Sequence, residues 1–356
     1  MPAERGRVVR RALEACAAVV LAVALIAFAL PQTAGASWTQ IGNVLSGVRP
    51  YEFALLALVW LGGLALQTIA LAAALPGLSH LRAFFLNITG SSVSNLVPLG
   101  GAAGTAVNWW SCRRWGFSTA AFVRWAMVTN IWDVLTRLLV PGFALAWLGY
   151  LGLGDDEVLL GATLVSAGTA LGAVGLTVGL LRTDTGARRI GAGVDHLAAA
   201  LRRPPRDREH QAVQVRRDLA GLVATAWVRL TVGKVLYALA QAGLLWLCLE
   251  VVGTSPTPAV VFAAFAVERV LSLAVITPGA TGFVEIGMTT YLARMGTDPA
   301  TAAAGVLLYR FFVIGMEVPV GGMLLLPWSL RQLVSKKARE RDLATAISDV
   351  PGRAVR

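Results

Sequence analysis

The sequence predicts an all-α integral membrane protein, with about six full spans and two oppositely oriented re-entrant helical hairpins arranged like an inverted repeat. Three observations predict it. Hydrophobic residues make up 56% of the 356 and charged residues only 14%, more apolar than an ordinary soluble domain. Apolar runs at 12–30, 51–75, 120–150, 157–181, 221–252 and 302–328 are each long enough to cross a hydrocarbon core of about 30 Å. Two further apolar regions, 82–110 and 259–293, are interrupted near the middle, by VPLGGAAG at 97–104 and TPGATG at 277–282.

The first run, ALEACAAVVLAVALIAFAL, is about as long as a span and continues into more membrane protein, so it reads as a retained helix and not a cleaved leader. Arginine and lysine set the orientation. The N-terminal RGRVVRR, the Arg113–Arg114 turn, the arginine-rich stretch 182–217 and the tail containing SKKARERD face the cytoplasm, while the loops around 33–47, 151–157 and 253–258 lie outside. With those sides fixed, region 82–110 begins and ends inside, and region 259–293 begins and ends outside. Proline removes a backbone donor and glycine lets the chain reverse, so each region reads as two half-helices around a tip. Lipid tolerates such a break only where protein or water satisfies the freed backbone groups. Opposed tips meeting near the midplane are the layout of an inverted-repeat transporter. Two kinked ordinary spans fit the same residues.

The chain then divides into a first membrane half (1–182), a basic cytoplasmic linker (183–220) with an amphipathic surface helix before Pro204, a second membrane half (221–330) and a basic cytoplasmic tail (331–356). The net charge of +11 follows from basic residues beside apolar segments, so topology and not nucleic acid accounts for it. Cys16, Cys112 and Cys248 have no CxxC spacing, and His80, His196 and His210 are scattered. No HExxH, GxSxG or phosphate-loop motif is present, so no catalytic residue, metal or cofactor is expected.

Ionisable residues inside spans are costly and so become candidates for function. Asp133 and Arg137, four apart, are expected to pair on one helix face. Glu268 and Arg269 are adjacent and need separate partners. Glu285 follows the second break by a turn, Arg310 lies early in the last span, and Glu317 stands seven residues beyond it on the same face. Glu285 with Arg310 is the preferred pair, Glu285 the candidate proton carrier, and Arg310 would offer its planar fork to a phosphate. Asn95, Pro98 and Gly100 at the first tip, and Thr277, Pro278, Gly279 and Gly282 at the second, would complete a path for an anionic headgroup.

NLVPLGGAAG (95–104) with the basic turn CRRWGFS, and PGATGFVEIG (278–287) with the downstream LLYR ending at Arg310, resemble a flippase-like transmembrane family that includes the membrane part of lysylphosphatidylglycerol synthase. The resemblance covers nearly the whole chain. It implies a bacterial plasma-membrane protein that moves an anionic phospholipid or a polyprenyl-phosphate-linked lipid between leaflets, beside an envelope-lipid synthase or glycosyltransferase as partner. The alternative is a membrane glycosyltransferase or its accessory subunit, with Asp155, Asp156 and Glu157 as its acidic cluster. Many relatives carry an acidic residue shortly after the first Pro-Gly, where this chain has Thr105 and Asn108. No aminoacyl-transferase domain accompanies the spans in these residues, so synthesis of aminoacylated lipid is not expected.

Overall fold

The computed structural model describes residues 16–96, 100–153, 156–185, 188, 208–273 and 277–328. Pro98, the expected helix before Pro204, Asp155 and the basic tail lie outside the described residues. Everything regular among the described residues is helical. Six helices are long and apolar enough to cross a membrane: α1 (Cys16–Ala34), α3 (Pro50–Ala74), α6 (Thr119–Tyr150), α7 (Asp156–Arg182, with its apolar window at Thr163–Leu180), α8 (Arg208–Val251) and α11 (Pro299–Trp328). The protein is a multi-pass membrane protein.

The remaining helices are shorter. α2 (Trp38–Ser46) occupies a stretch expected as an outside loop. Its start is written in the sequence: Ser37 Oγ accepts from Gln40 N, and the Ser37 N–H donates to Gln40 Oε1, a capping box. α4 (His80–Leu96) and α5 (Gly101–Arg114) pack on each other, as do α9 (Pro258–Leu271) and α10 (Phe283–Arg294). With 17, 14, 14 and 12 residues, these four reach roughly 18–26 Å at 1.5 Å per residue. Each falls short of a core of about 30 Å.

Small residues set the close approaches. A Cβ at Gly104 would collide with Ser94 and the Gly90 backbone, so α4 and α5 touch almost backbone to backbone. Gly233 of α8 lies against Ala70 of α3, and a Cβ there would come within 2.5 Å of the Ala70 nitrogen. In α11, Ala302, Ala303, Ala304 and Gly305 are buried, and Gly305 faces Leu249 of α8. One apolar core joins α3, α8, α9, α10 and α11; a second gathers Leu71, Leu86, Phe122, Trp125 and Leu230 around the α3–α4 end, where Trp125 Nε1 donates to Leu71 O at 3.0 Å. α7 leans mainly on α6 and leaves Leu164, Val165, Leu171 and Leu176 exposed, as a lipid-facing helix does.

α8 begins at Arg208, inside the segment expected as linker. The polar start of this helix is tied down by ion pairs, Arg216 with Asp184 at 2.6 Å and Asp218 with Arg124 of α6 at 2.8 Å. Arg124 therefore has a partner on another helix. α1 and α11 each contain a π-helical turn, Leu25–Ala29 and Phe311–Met316, and the second follows Arg310 directly.

Candidate functional site

Between α9 and α10 the chain makes a short 3-10 turn, Pro278–Ala280. Gly279 has φ +59° and Gly282 φ +93°, a left-handed backbone that suits glycine. Ala280 holds φ +54°, a conformation rare for a residue with a Cβ. Three neighbours hold this turn in place. Arg310 Nη2 donates to Gly279 O at 2.6 Å, Gly282 N donates to Glu285 Oε2 at 2.6 Å, and Thr277 Oγ1 donates to Thr281 O at 2.8 Å. Arg310 Nε closes the ring on Glu285 Oε1 at 2.7 Å.

The first break lies beside it. A Cβ at Gly279 would lie 3.4 Å from Asn95 Oδ1, so the second turn is in contact with the end of α4. Asn95 Nδ2 donates to Glu317 Oε2 of α11 at 3.2 Å, and Ser92 Oγ donates to Val318 O at 3.0 Å. Gly321 lies so close to Ile88 and Ser92 that no side chain fits there. The end of α11 thus locks α4 against the second half of the chain.

The ionic partners differ from the expected ones in three places. Asp133 pairs with Lys234 of α8 at 2.6 Å, while Arg137 Nη1 donates to Ser272 Oγ at 2.7 Å and to Ser272 O at 3.4 Å. A partner on a packed neighbour has displaced the local one at i+4. Glu268 and Arg269, expected to seek separate partners, pair with each other at 2.7 Å, because the long guanidinium arm folds back over the Phe265 ring, 4.5 Å from its centroid. Glu268 also accepts from Tyr309 OH at 2.9 Å and lies 3.6 Å from Arg310 Nη1. Glu317 has no cation within salt-bridge distance among the described residues, since the π turn at Phe311–Met316 breaks the register that would have stacked it on Arg310. Arg310 donates through Nε to Glu285 and through Nη2 to the Gly279 carbonyl and lies 3.6 Å through Nη1 from Glu268, so its charge is already answered by two carboxylates of the protein.

These groups surround a cavity of about 510 Å³. Its wall takes in both breaks: Asn95, Gly100 and Gly101 on one side, Thr277, Pro278, Gly279 and Ala280 on the other. Four cations (Arg137, Lys234, Arg269, Arg310) and three carboxylates (Asp133, Glu268, Glu317) line it, with Glu285 behind Arg310. Uncharged polar side chains complete it, among them Gln67, Asn87, Asn130, Tyr237 and Gln241. Sequence reasoning passed over these, although Gln67 and Gln241 each stand alone in an apolar run, which is itself a signal. The side chains of Asp156 and Glu157 lie outside the described residues, as Asp155 does.

A second space of about 630 Å³ runs along α6 and α8, lined by Trp132, Leu139, Phe143, Trp147, Leu239 and Phe262. It is almost wholly apolar. Thr136, Lys234 and Ala238 belong to the walls of both spaces.

The family described as the lysylphosphatidylglycerol synthase TM region matches residues 16–321. This chain belongs to that family. The lysylphosphatidylglycerol synthase TM region match runs from α1 to the Gly321 contact in α11, and so takes in both breaks and every cavity-lining residue named above. None of the curated proteins matches the chain. Membership ties it to membrane domains related to lipid synthesis.

Proposed function

We propose that this protein moves a lipid carrying an anionic phosphate headgroup between the two leaflets of a bacterial plasma membrane. The headgroup crosses through the polar cavity between the breaks, and its chains stay in lipid. The observation that carries this reading is the shared wall at Thr136, Lys234 and Ala238: a charged cavity with an apolar groove directly beside it matches an amphiphile and not a soluble solute.

In this reading α4–α5 and α9–α10 are re-entrant hairpins entering from opposite faces, and both termini are cytoplasmic. Their shortness supports it, as does the cluster of arginines and tryptophans at the open end of the first pair. Arg82 stacks over Trp115 at 5.3 Å and Arg114 over Trp110 at 5.6 Å, the composition of a membrane–water interface. Without a nucleotide-binding motif, passage is facilitated or ion-coupled. Glu285, fixed on both oxygens, serves to hold the second tip, and Glu317 is the carboxylate left for coupling.

Leaflet exchange of fluorescent phospholipids in proteoliposomes tests the reading. Ala238 lines both cavity and groove, and Ala238→Phe should fill the space beside it and cut exchange at least tenfold. Exchange by the wild type no faster than in empty vesicles, or an undiminished rate in Ala238→Phe, would sink it.

A further inference from the structure

The polar cavity and the apolar groove share three wall residues, Thr136, Lys234 and Ala238, so what divides the two spaces there is one layer of side chains. Two of the three are short. Ala238 offers only a methyl group, and Thr136 Oγ1 is turned back on its own helix, donating to Trp132 O at 2.8 Å. Lys234 stands one turn before Ala238 on the same face of α8. It is the long side chain of the partition.

What holds Lys234 in place is an ion pair to the neighbouring helix. Its ammonium donates to Asp133 Oδ1 of α6 at 2.6 Å, the one hydrogen bond it makes among the described residues. A second bond ties the same two helices beside it, from Trp132 Nε1 to Thr231 Oγ1 at 3.0 Å. Trp132 and Thr231 line the groove, whereas Asp133 lines the cavity and not the groove. The ion pair therefore closes the partition from the cavity side.

The two partners are unequally placed. The Lys234 side chain is 2% exposed and that of Asp133 44%. Asp133 can turn away and be solvated, but the lysine left behind would keep a buried charge with nothing to answer it, a costly state. The way to the ammonium runs through the place that Asp133 occupies. An anion that takes that place removes the cost. A ligand shifts an equilibrium only by its different affinity for the two states, and an anion from the cavity meets Lys234 only once Asp133 has left.

We propose that the Lys234–Asp133 pair is a gate operated by the lipid's own anionic group: that group replaces Asp133 on the ammonium, the side chain of Lys234 follows it, and the partition opens for the lipid to span cavity and groove. This rests on the translocation reading. It adds a reason why a neutral lipid is refused, and it makes Asp133 a positioning residue that competes with the substrate for Lys234.

The test compares two lipids of identical acyl chains. Phosphatidylmethanol carries a single phosphodiester charge, and monoglucosyldiacylglycerol has neither phosphate nor charge. Native mass spectrometry of the full chain in detergent gives their affinities. Asp133→Asn removes the competitor, and one charge-assisted hydrogen bond is worth roughly tenfold in affinity. Phosphatidylmethanol should therefore bind about tenfold tighter to Asp133→Asn, with the glycolipid unchanged. Lys234→Met should weaken phosphatidylmethanol by about the same factor, and in that background Asp133→Asn should change nothing. Equal tightening with and without Lys234 would mean that Asp133 merely repels anions, and overturns the proposal, as does no tightening at all. If the asparagine variant does not fold, Lys234→Met still decides, since undiminished phosphatidylmethanol binding overturns the proposal as well.

Leaflet exchange of the same lipids in proteoliposomes reads the gate itself. The wild type should leave the glycolipid at the empty-vesicle rate; Lys234→Ala should raise its exchange several-fold while phosphatidylmethanol exchange falls. Glycolipid exchange unchanged in Lys234→Ala overturns the gate. Millimolar inorganic phosphate separates the lipid's anion from a free one: it should leave glycolipid exchange by the wild type at the empty-vesicle rate, and a rise overturns operation by the lipid. Exchange of phosphatidylmethanol without the binding pattern removes this proposal alone, while the binding pattern without exchange removes translocation and leaves the anion-operated pair.

Discussion

Replacing Glu285 with glutamine keeps the size of the side chain and removes its charge, so what it costs measures the clamp on the second tip. The two carboxylate oxygens meet two donors, Arg310 Nε at 2.7 Å and Gly282 N at 2.6 Å. Glutamine offers one acceptor, and its amide nitrogen must face whichever donor is left over. One charge-assisted hydrogen bond is worth about 1.5–3 kcal/mol. Removing one partner of a buried ion pair costs about 3–5 kcal/mol, because the other charge stays buried. Arg310 keeps Glu268 at 3.6 Å and the Gly279 carbonyl at 2.6 Å, so the low end applies, about 3 kcal/mol. Thermal unfolding of the detergent-purified chain, followed by tryptophan fluorescence, reads this directly. Glu317→Gln is the control: Glu317 has no cationic partner, its glutamine can still accept from Asn95 Nδ2, and the expected loss is below about 1 kcal/mol. A Glu285→Gln protein that melts at or above the temperature of Glu317→Gln would refute the clamp. In a double-mutant cycle, Arg310→Met should add little once Glu285 is gone, with a coupling of about 2 kcal/mol.

Other outcomes follow from the same contacts. Asp133→Asn leaves Lys234, 2% exposed, buried without its counter-charge and should destabilise by about 3 kcal/mol, whereas Lys234→Met frees only a half-exposed carboxylate and should cost less; equal melting losses would argue against the pair. Gly282→Ala must hold φ +93° while its Cβ presses on Leu25 at 2.5 Å, so it should lower stability by at least about 1–2 kcal/mol, checked by the same melting curves against Gly42→Ala, where nothing lies within 4 Å. Asp298 caps α11 by accepting from Thr301 N at 3.0 Å and Thr301 Oγ1 at 2.8 Å, and those bonds hold its carboxyl below the usual value of 3.8. A lowered folded pKa contributes stability above the ordinary carboxylate range and loses it as pH falls through the folded value. Asp298→Ala should therefore cost about 1 kcal/mol at neutral pH, and the difference from wild type should vanish in acid melts.

The spans were legible because a bilayer imposes one length on every crossing. The apolar runs give the helices to within a few residues wherever a turn signal bounds them, as Arg49-Pro50 does at the start of α3. Where polar residues continue a helix beyond the apolar stretch the edge is invisible to hydropathy, and α8 starts at Arg208, well before the run at 221–252. α2 was missed for the opposite reason. Its S-W-T-Q capping box was readable, but a short helix between two spans looks like a loop when only hydropathy is weighed.

The site was legible only where burial forces one solution. Buried carboxylates and guanidiniums deep in the second half had to meet, and Glu285 meets Arg310 as expected, with Glu268 alongside. Asp133 had two cations within reach of a plausible fold, and sequence spacing favours the nearer one; packing of α8 against α6 and α3 decides for Lys234 instead, 101 residues away. That exchange has a functional consequence that spacing could not reveal. Arg137 is released from its expected partner and, among the described residues, stands as a cation without a carboxylate in the cavity wall, while Arg310, expected to bind phosphate, is paired with Glu285 and holds the tip carbonyl. The π turn after Arg310 does the same for the acids, separating Glu317 from the guanidinium and giving it to Asn95 at the first break. Among the described residues that line the cavity, Arg137 and Glu317 are the charges left without a counter-ion, and they belong to different helices, α6 and α11. Neutralising Arg137 should weaken the hold on any phosphate-bearing lipid; neutralising Glu317 should alter how exchange responds to a proton gradient and leave lipid binding unchanged.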